Sequence, residues 1–356
     1  MLTLPMLGFP CAQARSRKLF NHPLNAPMLE FSVAIRTYNG AAYLPGLLEA
    51  VRSQQGVDDL DWEVVIVDNN STDSTLKIIQ RYQADWPTAF PLKLYHEEQQ
   101  GAVYARQRAI QVAQGELIGF LDDDNAPATD WVAQAIKFGR ANPQAGAYSG
   151  QIRGIFEVPP PQNFERIAQY LPIVERQRLI CFNEGKYNRK HVLPPGAGLV
   201  IRKQAWADHV PENLALQGPI GSGLAAKGED IEALMYMKQA GWEIWFNPAM
   251  QIEHYIPKER LERAYLLRFF RGIGLGRYYT RTIGCPGWLK PIVSIAYMTN
   301  DLRKLIVHWC KYRRQFAMDM VLASELQLYS SSFISPIHHL SNLASRKHLK
   351  FSRQSK

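Results

Sequence analysis

The sequence predicts an α/β protein built on a doubly wound, mostly parallel, Rossmann-like sheet, with a helical appendage at its C-terminal end. Three observations predict it. From Phe31 to about residue 140, short apolar runs alternate with helical periods, the pattern of βαβ units with right-handed crossovers. Those apolar runs end abruptly in polar residues, as strands covered on both faces do. The net charge of +9 is uneven: residues 256–356 hold 18 Lys and Arg against 5 Asp and Glu, and the rest holds 23 against 27. That asymmetry sets the C-terminal third apart.

The bulk properties are those of a globular chain. At 356 residues, 46% hydrophobic and 21% charged, it can form one large domain with an appendage, or two domains. Cys11, Cys181, Cys285 and Cys310 are scattered without a Cys-x-x-Cys pair, which excludes a zinc or disulfide framework and suggests a reducing compartment. No apolar run approaches the ~18 residues of a bilayer span. Pro5 and Pro10 interrupt a start that lacks a positive leading region, which argues against a signal peptide despite Ala12-Gln13-Ala14, and residues 1–30 read as a flexible extension. Met28 is an alternative start.

The elements follow in order. Phe31 to Arg36 form a first strand, then the turn Thr37-Tyr38-Asn39-Gly40, then a helix carrying Leu44, Leu47, Leu48 and Val51 on one face. Glu63 to Val67 form a second strand ending at Asp68-Asn69-Asn70. Ser71 to Ser74 offer N-caps for a helix with Leu76, Ile79 and Tyr82. Leu92 to Tyr95 are a short third strand. After Gly101, a helix spaced by Ala102, Ala105, Ala109 and Ala113 is expected to stop at Gly115. Leu117 to Leu121 then run into Asp122-Asp123-Asp124, and Thr129 is expected to cap the next helix. Further on, Ala147 to Ile152 and Leu199 to Ile201 read as strands. Residues 218–228 read as a glycine-rich loop, with Gly221-Ser222-Gly223 as a candidate acceptor-side lid. A helix then starts at Glu229-Asp230 with Ile231, Leu234, Met235 and Lys238 on one face and stops at Gly241. Trp242 to Phe246 form a last strand, and His254 is expected just beyond it.

Four features at the carboxyl edge of the sheet carry the chemistry. In an open α/β sheet, ligands bind outside the carboxyl ends of the strands. Thr37-Tyr38-Asn39, Asp68 and Asp122-Asp123-Asp124 fall there, and Arg106 lies early in a helix facing the same crevice. Adjacent carboxylates repel one another unless a cation or strong donors neutralise them, and hard oxygen ligands suit Mg²⁺ or Mn²⁺ on a phosphorylated substrate. Read alone, the acidic stretch is also compatible with a water-facing turn.

Four blocks together resemble the family 2 glycosyltransferases of the GT-A fold, over about Phe31 to His254. They are residues 32–39 (Ser-Val-Ala-Ile-Arg-Thr-Tyr-Asn), 65–73 (Val-Ile-Val-Asp-Asn-Asn-Ser-Thr-Asp), 115–124 (Gly-Glu-Leu-Ile-Gly-Phe-Leu-Asp-Asp-Asp) and Gly228-Glu229-Asp230 with Lys238 and Gly241. Within the family, the chain also resembles the cyanobacterial hormogonium polysaccharide biosynthesis glycosyltransferases. The resemblance implies a GT-A domain at 31–255; composition sets apart a basic helical region at 256–335 and a disordered tail at 336–356. The resemblance also implies that Thr37, Tyr38, Asn39, Asp68, Arg106, Asp122 and Asp123 bind a UDP- or GDP-sugar. It implies that Asp124, Asp122 and His254 hold Mn²⁺ or Mg²⁺, and that Asp230, with Glu229 beside it, is the catalytic base. Three departures stand out: Arg36 where the family usually has proline, Asn125 where it often has an acid, and Gln107 where it often has asparagine.

In the C-terminal third, Tyr265, Leu266, Phe269, Phe270 and Ile273 interleave with Arg263, Arg268, Arg271 and Arg277, and residues 292–316 are similarly mixed. Amphipathic helices with arginine-rich faces suit an anionic membrane surface. No nucleic-acid-binding module is recognisable, and none is expected to bind. The expected partners are a nucleotide-sugar donor and a glycan or lipid-linked acceptor, in the cytoplasm and peripheral at the inner face of the plasma membrane. Two other functions compete. A sugar-phosphate nucleotidyltransferase would carry a glycine-rich loop where Arg36-Thr37-Tyr38-Asn39-Gly40 stands. A non-catalytic scaffold would have lost acids that are all present here.

Overall fold

A computed structural model describes residues 29–185, 193–216 and 228–354, with side chains as far as Ser341. The extension before residue 29 and the Gly221-Ser222-Gly223 loop lie outside the described residues.

In chain order the elements are β1 Leu29–Thr37, α1 Leu44–Arg52, β2 Trp62–Asp68, α2 Thr75–Ala84, β3 Leu92–His96, α3 Ala102–Val112, β4 Gly115–Asp122, β5 Asn125–Pro127, α4 Trp131–Ala141 and β6 Ala145–Phe156. They continue with β7 Ile180–Cys181, β8 Val200–Arg202, α5 Lys203–His209, α6 Glu229–Gln239, β9 Glu243–Ile256, α7 Arg263–Thr282, α8 Lys290–Tyr312 and α9 Met320–Gln354. The strands form one sheet in the order β3-β2-β1-β4-β8-β6-β9-β5, with β7 on β9.

The sheet is mixed, and its long pairings are parallel. β3-β2-β1-β4 are parallel, as is β6-β9, whereas the short β8 runs antiparallel between β4 and β6. Strand alternation sends side chains to two cores. Val33, Ile35, Val64 and Ile66 pack with α1, α2 and α4 on one face. Ala34, Val65, Val67, Ile118 and Phe120 pack with α3, α5 and α6 on the other. Helices on both faces explain why the strands read as continuous apolar runs.

Several local expectations are corrected. Gly115 does not stop α3, which ends at Val112; it opens β4. A Cβ there would lie 2.5 Å from the Ser32 backbone nitrogen and 2.6 Å from the Phe31 carbonyl carbon, so close strand approach, not a helix end, requires the glycine. Thr129 is not the cap of α4. Asp130 occupies that position, while the Thr129 carbonyl accepts a hydrogen bond from Gln55 N at 2.7 Å. In α6 the buried apolar residues are Ala233, Leu234 and Met237, not Ile231 and Met235. Glu232 is also buried, accepting the Ala215 and Leu216 amides at 3.0 and 2.8 Å, and this turns the helix away from the expected face. His254 lies within β9, which is far longer than its apolar start. The stretch expected to be a structureless tail continues α9, and the His339 ring stacks on Tyr278 with centroids 4.2 Å apart.

Gly115→Ala is expected to lower stability by about 1–3 kcal/mol, because backbone atoms cannot yield to a methyl group. Gly46→Ala in α1, where a Cβ meets nothing within 4 Å, serves as the matched control. Urea denaturation of the two variants checks the contrast.

Candidate active site

Strand register places the key residues in one layer. Thr37 pairs with Asp68 across β1-β2, Arg36 with Asp122 across β1-β4, and Asp68 with His96 across β2-β3. All lie at the carboxyl ends of parallel strands, where the chain must leave the sheet and a crevice opens.

Asp68 is fully buried; the Ser71 amide donates to it at 3.3 Å, and His96 Nδ1 lies 3.3 Å away. Asn39, at φ 54°, accepts the Thr72 amide at 2.8 Å and so ties the turn after β1 to the loop after β2. Tyr38 is half exposed at the mouth. Asn69 anchors the wall between β3 and α3: its amide donates to the Glu97 and Gln99 carbonyls, and its oxygen accepts the Gly101 amide at 2.7 Å.

The acidic cluster separates into three environments. Asp122 is held by Arg36 at 2.5 Å. Burial opposes the Arg36 charge, but Asp122 and then Glu229 outweigh it and raise its pKa. Asp123 accepts the Thr37 hydroxyl at 2.9 Å, and burial followed by repulsion from Asp124 pushes it up to about 7. Gly40 makes this pair possible, since a Cβ there would lie 2.3 Å from Thr37 Oγ1 and 2.4 Å from Asp123 Oδ2. Asp124 is buried beside the Arg260 guanidinium at 2.7 Å and the His254 imidazole at 3.6 Å. Burial alone would raise its pKa; the His254 and Arg260 contacts win and hold it below the ordinary aspartate range.

Across the crevice, Asp230 in the first turn of α6 pairs with the buried Arg106 of α3. Arg106 lies over the Phe120 ring at 5.0 Å. Burial, then the Arg36 guanidinium, lower its pKa to about 9, against the pull of Glu229 and Asp122; it stays charged at neutral pH. Gly196 closes over the pair, because a Cβ there would lie 1.9 Å from Asp230 Oδ2. Glu229 is buried next to Asp230. The structure thus gathers three guanidiniums (Arg36, Arg106 and Arg260) and six carboxylates (Asp68, Asp122, Asp123, Asp124, Glu229 and Asp230) around one polar crevice, with the acid at the helix start favoured as an anion by the helix dipole.

The Glycosyl transferase family 2 model matches residues 32–198. The chain carries a family 2 glycosyl transferase domain. The uncharacterized glycosyltransferase YfnE of Bacillus subtilis (strain 168) is 35% identical over 109 residues, covering 31% of this chain and 26% of its own length. Glycosyltransferase AglE of Haloferax volcanii is 33% identical over 105 residues, covering 30% of this chain and 34% of its own. The chain spans less than half the length of the curated relatives it matches. The mannosyltransferase PcManGT from Pyrobaculum calidifontis, solved in complex with GDP-Man and Mn²⁺, is similar over 88% of this chain and 87% of that one, with a TM-score of 0.58 at 19% identity. The fold is GT-A-like, with helices in the C-terminal region.

For a divalent ion, the crevice offers a partial donor set. Among the described residues no group of three His, Cys, Asp or Glu side chains converges as a metal cage. Asp124 and His254 do meet, brought together because Asn125 pairs with His254 across β5-β9. The buried His254 Nδ1 has no hydrogen-bond partner. Asp124 would offer such an ion a hard carboxylate oxygen, with the His254 imidazole beside it, and diphosphate oxygens of a bound substrate would supply further ligands. Arg260 already pairs with Asp124, so an ion there would have to compete with it.

Arg36, Arg260 and Gly196 are site residues that the sequence left without a role. Only Arg36 carried a signal, as the residue standing where the family has proline.

Glu232 gives the domain a pH dependence of its own. Burial raises its carboxyl above the ordinary glutamate value of 4.5, against the pull of the Ala215 and Leu216 amides. An acid whose folded pKa is raised contributes stability that is present at low pH and lost as pH rises through the folded value. The melting-temperature advantage of the parent over Glu232→Gln should therefore shrink as pH climbs past the ordinary glutamate range. Parallel thermal melts across pH check this.

Proposed function

We propose that the chain is an inverting, metal-dependent glycosyltransferase that moves a sugar from a UDP- or GDP-sugar to a growing polysaccharide or lipid-linked glycan. The observation that carries the reading is the crevice itself, where the Arg106–Asp230 pair faces Asp122, Asp123 and Asp124 at the strand ends. The GDP-Man and Mn²⁺ bound to the similar mannosyltransferase support a nucleotide-sugar donor and a divalent ion.

In this reading Asp68, Asn39, Thr37 and Tyr38 line the nucleotide pocket, and Arg106 holds the base edge or a phosphate. Asp124 and His254, with Asp122 nearby, would hold Mn²⁺ or Mg²⁺, which neutralises charge on the departing diphosphate when bound. Asp230 accepts the proton of the acceptor hydroxyl as its oxygen attacks the anomeric carbon. The bond from that carbon to the diphosphate oxygen breaks on the opposite face. One displacement inverts the anomeric centre, in contrast to the two-step route of retaining enzymes. Asp123, placed among the donor-binding residues, acts through Thr37.

Incubation with UDP- and GDP-sugars and Mn²⁺ tests the proposal. Release of nucleoside diphosphate with an inverted glycoside product supports it; release of pyrophosphate would instead favour a nucleotidyltransferase. Among the described residues no helix is long and apolar enough to cross a membrane, and peripheral attachment to the inner face of the plasma membrane belongs to the same proposal.

A further inference from the structure

Helix α8 of the C-terminal region is built inside out. The side chains of α8 that face the bundle are Ser294, Asp301 and His308, seven residues apart and all buried. Each is satisfied there. Ser294 Oγ donates to the Lys290 carbonyl at 2.7 Å, Arg281 grips Asp301 at 2.5 and 3.0 Å, and His308 Nε2 lies 2.9 Å from the Leu322 carbonyl. α9 meets α7 through small polar residues as well. Ser335 Oγ donates to the Leu275 carbonyl at 2.6 Å, and a Cβ on Gly274 would lie 2.0 Å from Ser331 Oγ. Small-residue contacts of this kind let the α7 and α9 backbones approach closely, beside an apolar core that includes Leu266, Phe270, Val321 and Leu328.

The outward face of α8 is apolar. Ile292, Ile295, Leu302, Ile306 and Trp309 form a stripe along it, with Ile295 65% exposed, and Trp288 just before the helix is 74% exposed. A helix of a water-soluble bundle places these faces the other way round. The stripe continues into an open groove of about 600 Å³ between α7, α8 and α9, lined by Leu267, Leu305, Ile306, Trp309, Phe316 and Leu326.

Charge decides what covers this face. Between Lys290 and Arg314 there are six basic residues and a single acid, Asp301, and that acid is buried against Arg281. A second copy of the chain docked face to face would bring like charges together, since an isologous interface matches a patch with itself. An anionic lipid surface complements both features: apolar side chains enter the headgroup–acyl boundary while basic residues meet phosphates.

We infer that the outer face of α8, with the groove beside it, docks on an anionic lipid bilayer. The inference deepens the proposed use of a lipid-linked acceptor and rests on it only for its purpose. Arg263 lines the groove three residues after Arg260, which holds Asp124, so the lipid face and the crevice share one end of the molecule.

Vesicle flotation of the full chain tests this. The protein should float with vesicles containing phosphatidylglycerol and stay behind with pure phosphatidylcholine. Ile295→Glu/Ile306→Glu should weaken flotation about tenfold or more, and Arg313→Gln/Arg314→Gln roughly fivefold per charge, both with parental melting temperatures. The inference is overturned if the parent ignores phosphatidylglycerol, or if the double glutamate variant floats as well as the parent. It is equally overturned if sedimentation shows a lipid-free dimer that the variant converts to monomer. Flotation without sugar transfer sinks the glycosyltransferase proposal and leaves the lipid face standing; transfer without flotation does the reverse.

Discussion

The Asp230→Asn protein is expected to bind its nucleotide sugar like the parent and to transfer sugar roughly 10²–10⁴-fold more slowly, the loss of a general base. The structure makes asparagine the informative replacement. Its side-chain oxygen still accepts from Arg106, so the pair that Gly196 closes over keeps its shape, while the ability to take a proton is gone. Glu229 and Asp122 continue to balance the Arg106 charge, which limits collateral damage to the nucleotide pocket. Single-turnover rates and nucleotide titrations on the same sample separate the two effects. Transfer near the parental rate would move the base elsewhere.

Asp124→Asn is expected to lower the apparent Mn²⁺ affinity by more than roughly 100-fold, since even the outer partners of metal ligands contribute about 10–100-fold. Stability should fall by about 1–3 kcal/mol, as His254 and Arg260 lose a charged partner. Arg260→Met should act in the opposite direction on the metal, because it removes the cation that competes for the same carboxylate. Manganese titrations of nucleotide release, read beside urea melts, distinguish the two variants. Unchanged Mn²⁺-dependent turnover in Asp124→Asn would remove this residue from the metal site.

The parallel core of the fold was legible because its determinants are local. Val64 to Val67 and Leu117 to Leu121 are apolar runs, and Leu44, Leu47, Leu48 and Val51 keep a helical period; all are buried as that pattern requires. Gly241, at φ 98°, ends α6 as expected. The other half of the sheet was less legible. The short β8 has three residues, and β9 alternates buried with exposed positions over its later part, so neither advertises its length. The site divides in the same way. Asp68, Arg106, Asp122, Asp123, Asp124 and Asp230 stand at strand or helix ends that the sequence locates, and the structure brings them to one crevice. Arg260 reaches Asp124 only because β5 folds back on β9, a pairing between residues more than a hundred positions apart. Gly196 matters through the space it leaves beside two side chains from distant helices, which no local pattern encodes. Arg36 was visible as a departure, but its ion pair with Asp122 depends on the β1-β4 register.

Thermal melting with a panel of UDP- and GDP-sugars, each with and without Mn²⁺, tests the central claim most directly. A ligand that binds only the folded state at about 100 times its Kd stabilises by about 2.7 kcal/mol. The crevice described here predicts that at least one nucleotide sugar raises the melting temperature saturably, more so with Mn²⁺, and that Asp68→Ala abolishes the rise. Melting temperatures that none of these nucleotide sugars changes, with or without the ion, would contradict it.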